Sequence, residues 1–163
     1  MTILPDILEP GMRVAFCGTA VGTRSAQVRA YYAGQGNQFW DILSRTGLTP
    51  HKLDPDEYHT LNKYGIGLTD LVKKRSGGDS DISSSDFDVT RFSSKIEKFA
   101  PKALAFNGKR AGKEFFRQSH VNYGRQDKTI GRTNIFVLPS TSGAARRYWE
   151  ESYWYELANF VNK

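Results

Sequence analysis

Short apolar runs alternate along the chain with stretches whose apolar residues recur every three or four positions. Val14-Ala15-Phe16-Cys17, behind Arg13, is a run of the first kind; it predicts a buried strand that feeds the glycine-bounded loop Gly18-Thr19-Ala20-Val21-Gly22. Helical spacing begins at Asn37, a favoured N-cap residue, and continues through Phe39, Trp40, Ile42 and Leu43 to a stop at Gly47. Pro55 to Lys63, entered through Asp54, predicts a second, short helix. Ile66-Gly67-Leu68-Thr69-Asp70-Leu71-Val72 alternates apolar with small or polar residues, as a strand or strand end does.

Gly77 to Asp86 is nearly all Gly, Ser and Asp, the composition of a mobile loop. Phe92, Ile96 and Phe99 share one helical face, which Pro101 closes. Ala103-Leu104-Ala105-Phe106 predicts a short buried strand running into Asn107-Gly108, followed by a basic helix with Ala111, Phe115 and Phe116 turned inward. Asn134 to Leu138 predicts another strand, ended by Pro139, and a last helix from about Tyr148 to Val161 packs Trp154, Leu157, Ala158 and Val161. Strands alternating with helices predict an α/β fold with a mainly parallel sheet covered on both faces. Ligands of such sheets bind at the carboxyl ends of the strands. The chemistry is therefore expected in the segments Gly18 to Gly22, Thr69 to Lys73, Asn107 to Gly108 and Ser140 to Arg146.

Length and composition narrow this picture. A chain of 163 residues with 39% hydrophobic content predicts one domain over residues 1–163. At that size about two-thirds of the unfolded surface can be buried, so no disulfide framework or structural metal is needed. Cys17 is the sole cysteine and has no partner within the chain. No apolar run reaches about 18 residues, and Met1 to Asp6 lacks the basic start and apolar core of a signal peptide, which predicts a soluble, cytoplasmic protein.

The net charge of +6 is uneven. Residues 1–107 carry 13 basic and 12 acidic side chains, residues 108–132 carry 7 and 2, and residues 133–163 carry 3 and 3. Lys109, Arg110, Lys113, Arg117, Arg125, Lys128 and Arg132 hold nearly the whole excess. Such a stretch either makes a positive field for a polyanion such as nucleic acid or is a solvated helix face.

Several site types are excluded or demoted. With His51, His59 and His120, one cysteine and no His-Glu spacing, a zinc site is disfavoured. Gly18 to Gly22 lacks the Lys and Ser or Thr of a nucleotide-hydrolase phosphate loop, and its glycine spacing is not that of a dinucleotide fingerprint.

What remains is an ordered set. The small-residue segment Gly18 to Gly22 is followed by Tyr31-Tyr32 and Asn37-Gln38-Phe39-Trp40, then by Gly65 to Val72, then by Leu138-Pro139-Ser140-Thr141-Ser142-Gly143. This order resembles the uracil-DNA glycosylase superfamily, most closely its mismatch-specific uracil and thymine branch, from about Arg13 to the last helix. The resemblance implies a three-layer α/β/α sandwich with a short, mainly parallel sheet. It also implies a monomer, cytoplasmic, nucleoid-associated and of bacterial type, that acts on single- or double-stranded DNA, away from membranes, with neither metal nor organic cofactor. In that branch the first motif usually reads Gly-Ile-Asn-Pro-Gly and the last Asn-Pro-Ser-Gly. Ala20 stands where the family has the Asn that orients the attacking water, Val21 replaces the Pro, and Ser140-Thr141 replaces Asn-Pro.

An alanine side chain cannot hold a water, so either the catalytic polar group has moved or catalysis is lost. The resemblance makes Asp70 the best relocated group, since it follows the Gly-Thr strand end that borders the pocket in relatives, and a fixed carboxylate beneath the sugar stabilises the cation that forms as the base leaves. A loop Asp that caps backbone amides is the alternative. The resemblance implies a base pocket of Gly18, Thr19, Ala20, Gly22, Tyr32, Asn107 and Ser140. Tyr32 is expected to stack on the flipped base, or to be a core aromatic, with Tyr31 the better packing residue. Asn107 would read the base edge or satisfy local backbone. DNA contacts are expected from Ser25, Lys109 and Arg110, and from Ser142, Gly143, Ala144, Ala145, Arg146 and Arg147. In that loop Arg146 fills the space left by the base or, with Arg147, contacts phosphates. The reading is a monofunctional uracil-DNA glycosylase; a glycosylase for hypoxanthine or xanthine and an inactive DNA-binding module are the alternatives.

Overall fold

The computed structural model describes residues 2–77 and 86–163, so most of the loop expected from Gly77 to Asp86 lies outside the described residues. In chain order the elements are β1 (Val14–Val21), α1 (Thr23–Val28), α2 (Phe39–Arg45), a 3₁₀ helix (Pro55–Tyr64), β2 (Ile66–Ser76), α3 (Val89–Phe99), β3 (Ala103–Asn107), α4 (Lys109–Phe116), β4 (Gly124–Ile130), β5 (Thr133–Leu138), a 3₁₀ turn (Gly143–Tyr148) and α5 (Ser152–Val161). The sheet order is β2-β1-β3-β5-β4. The pairs β1–β2, β1–β3 and β3–β5 are parallel, and β4 closes one edge antiparallel to β5.

Successive strand residues point to opposite faces, so each apolar run supplies both cores. Val14, Phe16, Ile66, Leu68, Ala105, Phe136 and Leu138 pack under α2 and α5. There Phe16 stacks on Trp154 with ring centres 5.4 Å apart and meets Phe39 edge-on at 5.2 Å. On the other face Ala15, Cys17, Leu104, Phe106, Ile135 and Val137 pack against Phe92 and Ile96 of α3 and Ala111 and Phe115 of α4. These are the expected three layers.

The strands run further than the sequence predicts. Gly18 to Val21, expected as a loop, is strand, and the strand expected over Ile66 to Val72 continues to Ser76: Gly18 pairs with Asp70 and Ala20 with Val72 before the register shifts between Ala20 and Val21. The parallel ladder overrides the turn preference of small residues. Asn37 is not the N-cap; Gln38 is, and Oδ1 of Asn37 accepts from the Phe39 amide at 3.0 Å. The short helix is 3₁₀, and Asp54 and Glu57 form a reciprocal capping box at its start. Helix α3 ends at a left-handed Ala100, before Pro101. The last helix starts at Ser152, because Gly143 to Tyr148 forms its own turn, with the Ser142 hydroxyl accepting from the Ala144 amide.

The N-terminal segment extends the sheet. Ile7 exchanges two backbone hydrogen bonds with Leu68, each 2.9 Å long. A Cβ at Gly67 would lie 2.7 Å from the Ile7 carbonyl oxygen, so this approach requires glycine there. It sets Asp6 beside β2.

Candidate active site

The carboxyl ends of β1, β2, β3 and β5 open into a cleft of about 760 Å³. Its wall brings together the expected residues Gly18, Thr19, Ala20, Gly22, Ser25, Tyr32, Asp70, Asn107, Lys109, Arg110, Ser140, Ser142, Ala144 and Ala145. Gly143, Arg146 and Arg147 are not part of it.

Asp70 sits on the face that carries Ile66 and Leu68 and is 3% exposed. Oδ2 of Asp70 accepts from Lys73 Nζ at 3.1 Å, and Oδ1 is turned toward Gly18. Burial pushes the Asp70 carboxyl above the usual carboxylate range, and the Lys73 ammonium holds it back. No local backbone cap is involved among the described residues: the contacts of the Asp70 carboxylate are side-chain ones. Lys73 also donates to Tyr31 Oη at 3.0 Å and pairs with Asp6 Oδ1 at 2.9 Å. Sequence reasoning missed both partners, since a Lys at Asp70 plus three carries no signal on a strand, and Asp6 is remote along the chain.

Tyr31 is buried, its hydroxyl donating to the Pro5 carbonyl oxygen at 3.1 Å, whereas Tyr32 is half-buried. Tyr32 holds a left-handed backbone, φ 52°, and its ring stacks on Phe39 at 4.0 Å. Among the described residues its buried hydroxyl has no well-aligned hydrogen-bond partner, and the Asn107 side chain lies beside it. Burial, then the neighbouring Asp70, pushes that phenol far up, so it is a neutral donor at any ordinary pH.

Asn107 is a clamp rather than a satisfier of local backbone. Its Nδ2 donates to Thr141 Oγ1 at 2.9 Å and its Oδ1 accepts from the Thr141 amide at 3.0 Å, which ties the end of β3 to the segment after β5. Among the described residues its second amide proton and second lone pair make no well-aligned hydrogen bond, with the Tyr32 hydroxyl beside them. The Ser25 hydroxyl accepts from the Ala33 amide at 2.9 Å, so this residue fastens the turn behind α1. Ser140 Oγ likewise accepts from the Ser142 amide.

The family model of the uracil DNA glycosylase superfamily matches residues 5–159. The chain belongs to that superfamily. The solution NMR structure of a candidate uracil DNA glycosylase from Methanosarcina acetivorans has the same fold, with a TM-score of 0.70 and 23% identity over 98% of this chain and 97% of that one.

The superfamily acts on DNA, and the cleft charge of this glycosylase-family chain has the matching sign. Arg24, Lys109, Arg110 and Lys113 line it against the single carboxylate of Asp70 among the described residues. The basic stretch is nevertheless not one field. Lys109 and Arg110 begin α4 at the cleft, whereas Arg117 caps the far end of that helix, and Lys128 and Arg132 lie where β4 turns into β5, at the opposite end of the sheet. Two cations in the first turn of α4 oppose the helix dipole, a cost that an approaching phosphate reverses. Arg110 also pairs with Glu114 at 3.3 Å, and Lys109 lies 4.3 Å from the Tyr123 ring centre. At the mouth Arg146 donates to the Gly36 carbonyl oxygen at 3.2 Å, which docks the expected plug residue on the loop before α2. Tyr148, 61% exposed at the cleft edge, is the large side chain left projecting there. No helix among the described residues is long and apolar enough to cross a membrane.

Proposed function

We propose that this chain is a monofunctional uracil-DNA glycosylase of the mismatch-specific type in which Asp70 takes the part of the motif Asn replaced by Ala20. The observation that carries this reading is the buried Asp70 carboxylate, with one oxygen held by Lys73 and the other turned toward Gly18 in a cleft whose other charged lining residues, among those described, are cations.

A base inside a duplex is out of reach, so the target nucleotide rotates into the cleft. The base lies against the Tyr32 ring, whose other face rests on Phe39, and its polar edge meets the remaining proton and lone pair of Asn107. The bond between C1′ and the base nitrogen breaks with its electron pair leaving on the base, and positive charge develops on the sugar. Asp70 stabilises that charge at short range in a site where little water screens it. Water then adds to C1′ and gives its proton to Asp70 Oδ1 or to solvent, and the departing base anion takes up a proton from solvent. The products are the free base and an abasic site. None of these steps requires a metal or an organic cofactor. Phosphates flanking the target are held by Lys109, Arg110 and Arg24, and the chain works as a monomer.

The test is incubation with labelled single- and double-stranded oligonucleotides carrying one uracil, one thymine mismatch or one hypoxanthine, followed by alkaline cleavage. Strand scission at uracil, undiminished by chelator, is the expected outcome. Scission at hypoxanthine alone would move the assignment to another deaminated base, a reading that the Tyr32 hydroxyl and the Asn107 amide beside it allow. Binding without scission on every substrate would make the chain an inactive DNA-binding module, the reading that Ala20 favours.

A further inference from the structure

Asp70 belongs to a set of charges that the cleft chemistry alone does not require. The Lys73 ammonium has three protons and three acceptors: Asp70 Oδ2 at 3.1 Å, Asp6 Oδ1 at 2.9 Å and Tyr31 Oη at 3.0 Å. All its donors are engaged, so the ammonium cannot swing away from the carboxylate. Asp6 is fixed in turn. Thr69 Oγ1 donates to its Oδ1 at 2.8 Å and Lys95 Nζ to its Oδ2 at 2.7 Å.

We infer that Lys73, held by Asp6, is the positioning residue that keeps Asp70 ionised and aimed at the sugar. This inference rests on the proposed role of Asp70. An isolated carboxylate as buried as Asp70 would take up a proton rather than stay charged. The Lys73 charge opposes that protonation and its hydrogen bond to Oδ2 leaves Oδ1 to face the cleft. Asp6 has the opposite electrostatic effect on Asp70 and an additional mechanical one. It repels the second carboxylate, yet it is the anchor that fixes the lysine. The Ile7–Leu68 bridge and the glycine at position 67 deliver Asp6 to this place, which makes the N-terminal segment part of the active-site apparatus.

The groups that face Lys73 come from four elements. They are Asp70 on β2, Asp6 on the N-terminal segment, Tyr31 after α1, and Lys95 of α3 across Asp6; the buried Cys17 thiol of β1 feels all these charges and is pushed far up by burial, then by Asp70. Lys73 is raised above its ordinary value: burial disfavours its charge, but Asp70 and Asp6 outweigh that. It therefore stays charged throughout the range in which Asp70 titrates.

The experiment is the pH profile of single-turnover uracil excision by the full chain, with DNA affinity and thermal unfolding measured alongside. The variants are Lys73→Met, Lys73→Arg and Asp6→Asn. The parent rate should rise with pH as Asp70 ionises. Removing an opposite charge at this distance should move the midpoint of that rise upward by about one pH unit or more in Lys73→Met. Lys73→Arg should bring it back, and Asp6→Asn, which releases the anchor of the lysine, should lower the plateau rate. A Lys73→Met variant slowed by one factor at every pH, with its midpoint unmoved, overturns the inference. If Lys73→Met does not fold, Lys73→Gln decides: an upward shift supports the inference and an unmoved midpoint overturns it. A parent that releases no base from any substrate overturns the proposed activity instead.

Discussion

Oδ1 of Asp70 lies 3.3 Å from the point where a Cβ on Gly18 would stand, and the Tyr32 hydroxyl lies 3.5 Å from the same point. The strand pairing of Gly18 with Asp70 thus brings a carboxylate oxygen and a phenol against bare backbone. Even one added methyl group there would press on the Asp70 carboxylate.

Gly18→Ala tests this directly. The glycine is not in the left-handed region, so alanine meets no backbone penalty; its methyl group instead crowds Asp70 and Tyr32. Excision should fall by about tenfold or more, as misplaced reacting groups do, while stability changes by about 1 kcal/mol or less. Rates and melting curves measured on the same preparation check both.

Much of the fold is legible in the sequence because the central strands are buried on both faces. Ala103 to Phe106 and Ile135 to Leu138 are continuous apolar runs, and each lies inside a strand at nearly those bounds. Strand β4 has no such signal: Gly124 to Ile130 is an edge strand, polar along most of its length. Helix α1 is six residues without an apolar stripe. In the site, Asp70 is legible through the family resemblance, which places it after the Gly-Thr strand end that borders the pocket. Lys73 and Asp6 meet through the antiparallel bridge of Ile7 on Leu68, which no local pattern announces.

The divided basic stretch gives a second prediction. Lys109 lines the cleft and Lys128 with Arg132 lies at the other end of the sheet. Lys109→Ala should weaken DNA binding and reduce the slope of log affinity against log salt by about one, as the loss of one phosphate contact does. Replacing both Lys128 and Arg132 by Ala should leave affinity and slope as in the parent. Equal losses in the two variants would place the DNA track elsewhere.

Tyr148 gives a third. With Ala144 and Ala145 small and Arg146 docked on Gly36, the exposed ring is the side chain at the mouth able to fill a vacated stack. Tyr148→Ala should slow excision from duplex DNA by about tenfold and from single strands much less, because only the duplex must be held open. Equal slowing on both would show that the ring contacts the flipped nucleotide instead.

The Asp6 cluster also predicts how stability depends on pH. Burial pushes the Asp6 carboxyl up, but Lys73 and Lys95 outweigh it and hold the group below its ordinary 3.8. A lowered carboxyl pKa contributes stability above the unfolded value and loses it as pH falls through the folded one. Asp6→Asn should therefore destabilise the protein by about 3 kcal/mol near neutrality, as breaking a largely buried pair does. Denaturant melts at neutral pH and well below pH 3.8 should show that difference shrinking in acid. A difference independent of pH would assign the loss to packing.

The central claim is that a carboxylate on β2, and not a side chain on β1, carries the chemistry. Asp70→Asn keeps the shape of the side chain and removes its charge. Single-turnover excision from a uracil-containing oligonucleotide, measured with DNA affinity at the same pH, isolates that charge. The account predicts a rate lower by about two orders of magnitude or more with affinity little changed. An Asp70→Asn protein that excises uracil at the parent rate would contradict it.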